Sequence, residues 1–233
     1  MGSEDLFSKR KARKQQDIAR RKRNLPQIPR FLIVCEGEKT EPNYFSELRD
    51  KLGIRHQSAC IGKNQGSSPD KVVAAALALY DEDASRGDTF DKVFCVFDRD
   101  THEKFFDAIQ RIKDLSSSDV QRPFVAITSN PCFEVWLLLH FGYSDKPFSA
   151  GGGKSVGERV VVELKKRTGF ASYEKGARGI YSVLSDRTED AIKFAKQLRT
   201  SAAKTGQCNP WTNVDELVRE LFDLAKAYRL QRC

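Results

Sequence analysis

Four acidic residues stand where short apolar runs stop. Glu36 follows directly on Phe31–Cys35, Asp98 and Asp100 follow the run 93–97, and Glu134 comes shortly after the run 124–128. Continuous apolar runs of this length, separated by amphipathic segments, read as buried parallel strands alternating with helices. Such sheets bind ligands in the crevice beyond the carboxyl ends of their strands, which is where these four acids fall. The spacing of two places Asp98 and Asp100 on one side of an extended segment and turns Arg99 to the other. Carboxylates gathered this closely repel one another, and at least one would lose its charge unless a cation joined them. A divalent ion resolves that conflict. Magnesium, with manganese as a substitute, prefers hard oxygen ligands and is commonly held by a few carboxylates together with substrate phosphates. The chemistry implied is attack of water on a phosphodiester. Each acid alone has an ordinary alternative as a loop residue, a surface ion pair or a helix-terminal charge. Three strand ends carrying acids in one series favour the metal site.

The elements that must hold these acids follow from hydrophobic periodicity. Strands are predicted over 31–35, 57–61, 93–97 and 124–128, with helices over 41–52, 69–80, 102–113 and 131–141. Ser68 and Pro69 suit the cap and first position of the second helix. This alternation predicts an α/β fold with a mostly parallel sheet flanked by helices. Beyond about residue 143 no strand is predicted. Helical spacing over 156–167, 188–200 and 213–228 gives a C-terminal helical extension. The chain therefore divides into a basic arm at 1–29, a catalytic core at 30–142 and a helical extension at 143–233.

At 233 residues with 39% hydrophobic content, the chain can bury one substantial core. No apolar run approaches the ~20 residues needed to span a bilayer, so a soluble, cytoplasmic protein without a membrane partner is expected. The six cysteines lie far apart with no CxxC pair, and His56, His102 and His140 are isolated from one another. Reduced structural thiols fit this better than zinc. The formal net charge of +8 is concentrated in the arm. Lys9, Arg10, Lys11, Arg13, Lys14, Arg20, Arg21, Lys22 and Arg23 stand there against one acid, Asp17, leaving the body near neutral. A basic arm on a neutral body suits electrostatic, salt-sensitive contact with nucleic-acid phosphates.

Two motifs carry a family resemblance. Ile33-Val34-Cys35-Glu36-Gly37 and Phe97-Asp98-Arg99-Asp100 resemble the strand-Glu-Gly and Asp-x-Asp motifs of Toprim domains. These domains occur in topoisomerases, bacterial primases, small RNA-maturing nucleases and OLD-type nucleases. The longer blocks from Cys35 to Phe45 and from Ser129 to Leu138, with the late segment from Asn209 to Leu217, resemble the RloB-like family. The Toprim resemblance implies metal binding by Glu36, Asp98 and Asp100. Resemblance to OLD-type nucleases adds Glu134 and Glu41 as ligands of a second ion, with Glu38 as an alternative to Glu41. The RloB-like resemblance implies a phage-defence effector that acts beside an ATPase partner.

Lys39, between two of these acids, is a candidate for stabilising charge on a transferring phosphate. Gly151-Gly152-Gly153-Lys154-Ser155 lacks the first glycine and the preceding strand of a phosphate-binding loop, which leaves Lys154 as a lone phosphate contact. Lys193, Lys196, Arg199 and Lys204 are further candidates for a nucleic-acid groove. A metal-dependent endonuclease acting on DNA or RNA, transfer RNA included, is the leading expectation. A non-catalytic nucleic-acid-binding adaptor and a nucleotidyl-transfer enzyme are the alternatives.

Overall fold

A computed structural model describes residues 28–62, 66, 68–99, 103–117 and 122–230. Asp100, His102 and the basic residues of the arm lie outside them. The order of elements is β1 (Phe31–Cys35), α1 (Thr40–Leu52), β2 (Ala59–Gly62), α2 (Pro69–Ser85), β3 (Lys92–Asp98), α3 (Phe105–Ser117), β4 (Phe124–Asn130) and α4 (Glu134–Leu139). There follow α5 (Val156–Lys165), α6 (Ile180–Leu184), a 3-10 turn at Ser185–Arg187, α7 (Thr188–Thr205), β5 (Trp211–Thr212) and α8 (Val214–Leu230). The sheet runs β2-β1-β3-β4-β5, its first four strands parallel and β5 antiparallel to β4. The α/β architecture expected from the apolar runs is therefore present.

Alternation along the strands explains why their apolar runs are continuous. Phe31, Ile33, Cys35, Phe94, Val96 and Ile127 face one way, into a cluster with Tyr44, Phe45 and Leu48 of α1 and the late helices. Leu32, Val34, Val93, Cys95 and Phe97 face the other way, onto Val72, Val73 and Ala76 of α2 and Ala108 and Ile112 of α3. Both faces are covered, so neither set of alternate positions reaches water. Each buried Leu, Ile or Phe contributes roughly 1.5–3 kcal/mol relative to exposure.

Two differences from the sequence reading concern the chain beyond residue 143. First, β5 adds a strand there, two residues long and with no periodicity of its own. Asn213 extends it by side chain, accepting from Thr128 N–H at 2.7 Å and donating to the Ala126 carbonyl at 3.0 Å. Second, Arg199 is engaged within the fold. It donates to the Thr212 carbonyl at 2.9 Å and pairs with buried Asp215, tying α7 to β5 and α8. The apolar stretch predicted as a helix over 131–141 is also shorter, because the chain remains irregular through Phe133 and α4 begins only at Glu134. The five described cysteines, Cys35, Cys60, Cys95, Cys132 and Cys208, are free thiols.

His140 ends α4 in a buried position, its Nδ1 3.0 Å from the Trp136 carbonyl. Burial pulls its pKa down from 6.5 to about 4. Between those values the unfolded chain binds a proton that the folded chain excludes, so stability falls as pH drops through that window. His140→Gln is expected to raise the unfolding free energy from urea titration at about pH 4.5, relative to that at about pH 7, by on the order of 2 kcal/mol compared with the wild type. An unchanged pH dependence would contradict a neutral, buried imidazole.

Candidate active site

The carboxyl ends of β1 and β3 and the first turns of α1 and α4 converge on one cavity of about 370 Å³. Its lining includes Glu36, Glu41, Asp98 and Glu134, together with Lys39 and Lys175. Strand alternation delivers Asp98, since it follows Phe94 and Val96 on the face covered by α1 and α4. Glu36 continues β1, its N–H donating to the Val96 carbonyl at 2.8 Å, while its Oε2 accepts from Asp98 N–H at 3.1 Å. Asp98 Oδ2 in turn accepts from Phe133 N–H at 3.1 Å, which holds the entrance of α4 against β3.

The glycine after Glu36 has a steric reason. A side chain at Gly37 would collide with the Glu41 carboxylate, which packs directly against the loop backbone. Glu41, five residues beyond Glu36, is thus brought back into the cavity by the first turn of α1, where it is buried. Glu38 also lines the cavity but remains exposed.

The crowding of acids is visible in their protonation. Burial pushes the Asp98 carboxyl well above the ordinary range, and Glu41, Glu134 and Glu36 push it further. Burial and Glu134 raise Glu41 to about 6, against the opposing pull of backbone N–H groups. Glu134, 2% exposed, accepts from Tyr173 Oη at 3.1 Å and lies 3.8 Å from Lys175 Nζ. Burial disfavours the Lys175 ammonium, but Glu134, Asp98 and Glu41 together hold its pKa above the usual lysine value.

Tyr173 and Lys175 were not legible as site residues. They come from the segment between α5 and α6, over 30 positions from any acid of the cavity, with no motif around them. Their placement depends on contacts with α1. Gly176 N–H donates to Thr40 Oγ1 at 2.9 Å, and Asn43 Nδ2 donates to the Gly176 carbonyl at 3.0 Å. Glu47 accepts from the N–H groups of Gly179 and Tyr181. Gly176 adopts φ +86° and lies so close to the Lys39 stem that a side chain there would meet it at 2.9 Å. Lys39 and Lys175 are thereby brought to the same cavity. Lys154, by contrast, closes a tight turn against Gly151 and lies outside the cavity lining.

Residues 31–221 match the family model described as RloB-like protein. The chain belongs to the RloB-like family. Comparison with curated proteins and with solved structures gives no match. The matched span opens on the first residue of β1 and closes within α8, so the RloB-like unit includes both the acids of the sheet and the Tyr173-Lys175 segment.

Among the described residues, no three acidic, histidine or cysteine side chains are placed to ligate one ion together. The donor chemistry nevertheless fits a hard cation. Glu41 is buried and Asp98 half-buried, and the surroundings of both oppose their ionisation, a conflict that a divalent ion would remove. Among the described residues, Glu36 and Asp98 are the ones that would hold it.

Asp98→Asn keeps an oxygen for the Phe133 N–H while deleting a buried acid set against three others. In chelating buffer it is expected to raise the thermal midpoint by about 2–6 °C. A lower midpoint would show that the surroundings stabilise the Asp98 charge.

Proposed function

We propose that this RloB-like protein is a metal-dependent endonuclease of Toprim type, related to OLD-type nucleases, that hydrolyses phosphodiester bonds in DNA or RNA. The observation that carries this reading is the gathering of Glu36, Glu41, Asp98 and Glu134 in one cavity at the carboxyl edge of a parallel sheet, with two lysines on its rim. Carboxylates in this number serve poorly as a binding surface for a polyanion unless cations intervene.

A bound Mg²⁺ would supply a Lewis acid and a more acidic water at neutral pH. Glu36 and Asp98 would hold the ion, with Asp100, and Glu41 and Glu134 would serve a second. Phe133 N–H fixes the Asp98 carboxylate, and Tyr173 fixes that of Glu134. Lys39 and Lys175 present positive charge where a scissile phosphate would enter, and can neutralise the negative charge that builds on its oxygens. The basic arm adds sequence-independent attraction for the rest of the polyanion. Through the RloB-like resemblance this activity belongs to phage defence and is governed by an ATPase partner.

One observation favours a non-catalytic adaptor instead. Lys175 already stands beside Glu134 as a protein cation, as it would in a purely structural acid cluster. Cleavage assays separate the two. With Mg²⁺ or Mn²⁺ and the ATPase partner present, the full chain is expected to cut single- or double-stranded DNA or RNA, transfer RNA included. Chelation, Glu36→Ala and Asp98→Ala are each expected to lower the rate at least ~1000-fold, with the fold intact by circular dichroism. Cleavage retained in both variants, or metal binding without turnover on any of these substrates, would remove the nuclease reading.

A further inference from the structure

We propose that Arg99 and Phe106 form a stacking shelf for one unpaired nucleobase beside the carboxylate cavity, so that the substrate is single-stranded or looped nucleic acid. The proposal rests on the nuclease reading for its biological setting, but the binding it describes is measurable without cleavage.

A solitary exposed phenylalanine is common on protein surfaces. Three features set this one apart. Phe106 is 64% exposed near the start of α3, while the residues that helix buries are Ala108 and Ile112. It is nevertheless held in place, because Phe105 meets it edge to face at 5.3 Å and itself packs on Phe97 of β3 at 5.6 Å. Second, the Arg99 guanidinium lies over the Phe106 ring, 5.4 Å from its centre. Among the described residues no carboxylate pairs with Arg99, although Asp98 is its neighbour in the chain, since alternation turns the two to opposite faces of the sheet. Third, Arg99 also borders a shallow depression of about 570 Å³ that includes Asn130, Phe148, Ser149, Gln207 and Asn209. Asn209 is engaged with the Phe148 backbone through both side-chain polar atoms, and the Asn130 and Gln207 amide nitrogens donate to backbone carbonyls, which leaves the Asn130 and Gln207 amide oxygens and the Ser149 hydroxyl to meet the edge of a base.

A planar cation laid on an anchored, solvent-facing ring presents flat faces and positive charge together. Nucleobases stack on both phenyl and guanidinium groups, and the adjoining phosphate is drawn to the arginine. In a duplex those base faces are covered by neighbouring pairs, so the shelf selects nucleotides that are unpaired. Because Arg99 follows Asp98 at the end of β3, the shelf stands at the same carboxyl edge of the sheet as the cavity but on its other face.

The test uses full-length chain carrying Glu36→Ala and short oligonucleotides, DNA and RNA, with one 2-aminopurine. Quenching of the fluorophore on binding is expected for single strands. Phe106→Ala should abolish the quenching and weaken single-strand binding by about 5- to 150-fold, while changing affinity for a blunt duplex less than about twofold. Phe106→Trp should restore both signals, and because the side chain is exposed the thermal midpoint should stay within about 2 °C of the parent. Absence of single-strand binding, unquenched binding, or equal losses on single strand and duplex would overturn the shelf. An acidic peptide competing for Arg99 with no effect of Phe106→Ala on oligonucleotides would do the same. If the wild-type chain binds single strands through Phe106 but never cuts them with Mg²⁺ and the ATPase partner, the shelf stands and hydrolysis falls. If it cuts at an unchanged rate and affinity in Phe106→Ala, hydrolysis stands and the shelf falls.

Discussion

Mutual repulsion among carboxylates at the end of a parallel sheet governs the arrangement around it. Glu41 and Glu134 are withdrawn from water and Asp98 is half-buried, and Asp98 and Glu41 are held less acidic than ordinary carboxylates by desolvation and by their acidic neighbours. Fixed dipoles and one ammonium moderate that conflict. Phe133 N–H reaches Asp98, Asp98 N–H reaches Glu36, and Tyr173 and Lys175 reach Glu134. Left alone, a cluster of this kind would be a net liability to the fold, because buried charges need partners. Its position in a crevice is the ground for the hard cation proposed above as the species that would balance it.

The late helices acquire a role from the same constraint. A βα core could place Glu36, Lys39, Asp98 and Glu134 by itself, but Lys175, the cation beside Glu134, comes from elsewhere in the chain. The segment carrying Tyr173 and Lys175 is fastened to α1 through Thr40, Asn43 and Glu47, the helix whose first turn also presents Glu41. Acid and base are thus positioned from one rigid element, and the clusters of the sheet's α1 face run without interruption into α7 and α8. Arg199 and Asp215 brace that continuation from within.

Strands β1, β3 and β4 were legible because each is covered on both faces and so appears as an unbroken apolar run. Their terminal acids were legible for the same reason, since the end of a run marks the end of a strand. Glu41 was ambiguous by spacing alone, and the space that Gly37 leaves for its carboxylate explains why position 41 serves. Three features had no local signature. Strand β5 is two residues long and is defined by β4, not by its own pattern. Lys175 owes its place to hydrogen bonds formed over 130 residues away in sequence. Arg199 looked like any basic residue on an amphipathic helix, and only burial of Asp215 distinguishes it from Lys193 or Lys196.

Asn213 has a consequence for the whole molecule in a crowded solution. A parallel sheet has two open margins, and an uncovered margin offers a ladder of donors and acceptors to any extended chain that drifts by. On the β4 side, two residues of β5 and one carboxamide answer the backbone from Ala126 to Asn130. Because the amide copies a peptide unit without being part of a strand, it ends the ladder: it presents no further backbone row beyond itself. The β4 margin of the sheet is in this way closed to recruitment of a foreign strand, and the molecule gains protection from self-association along that edge.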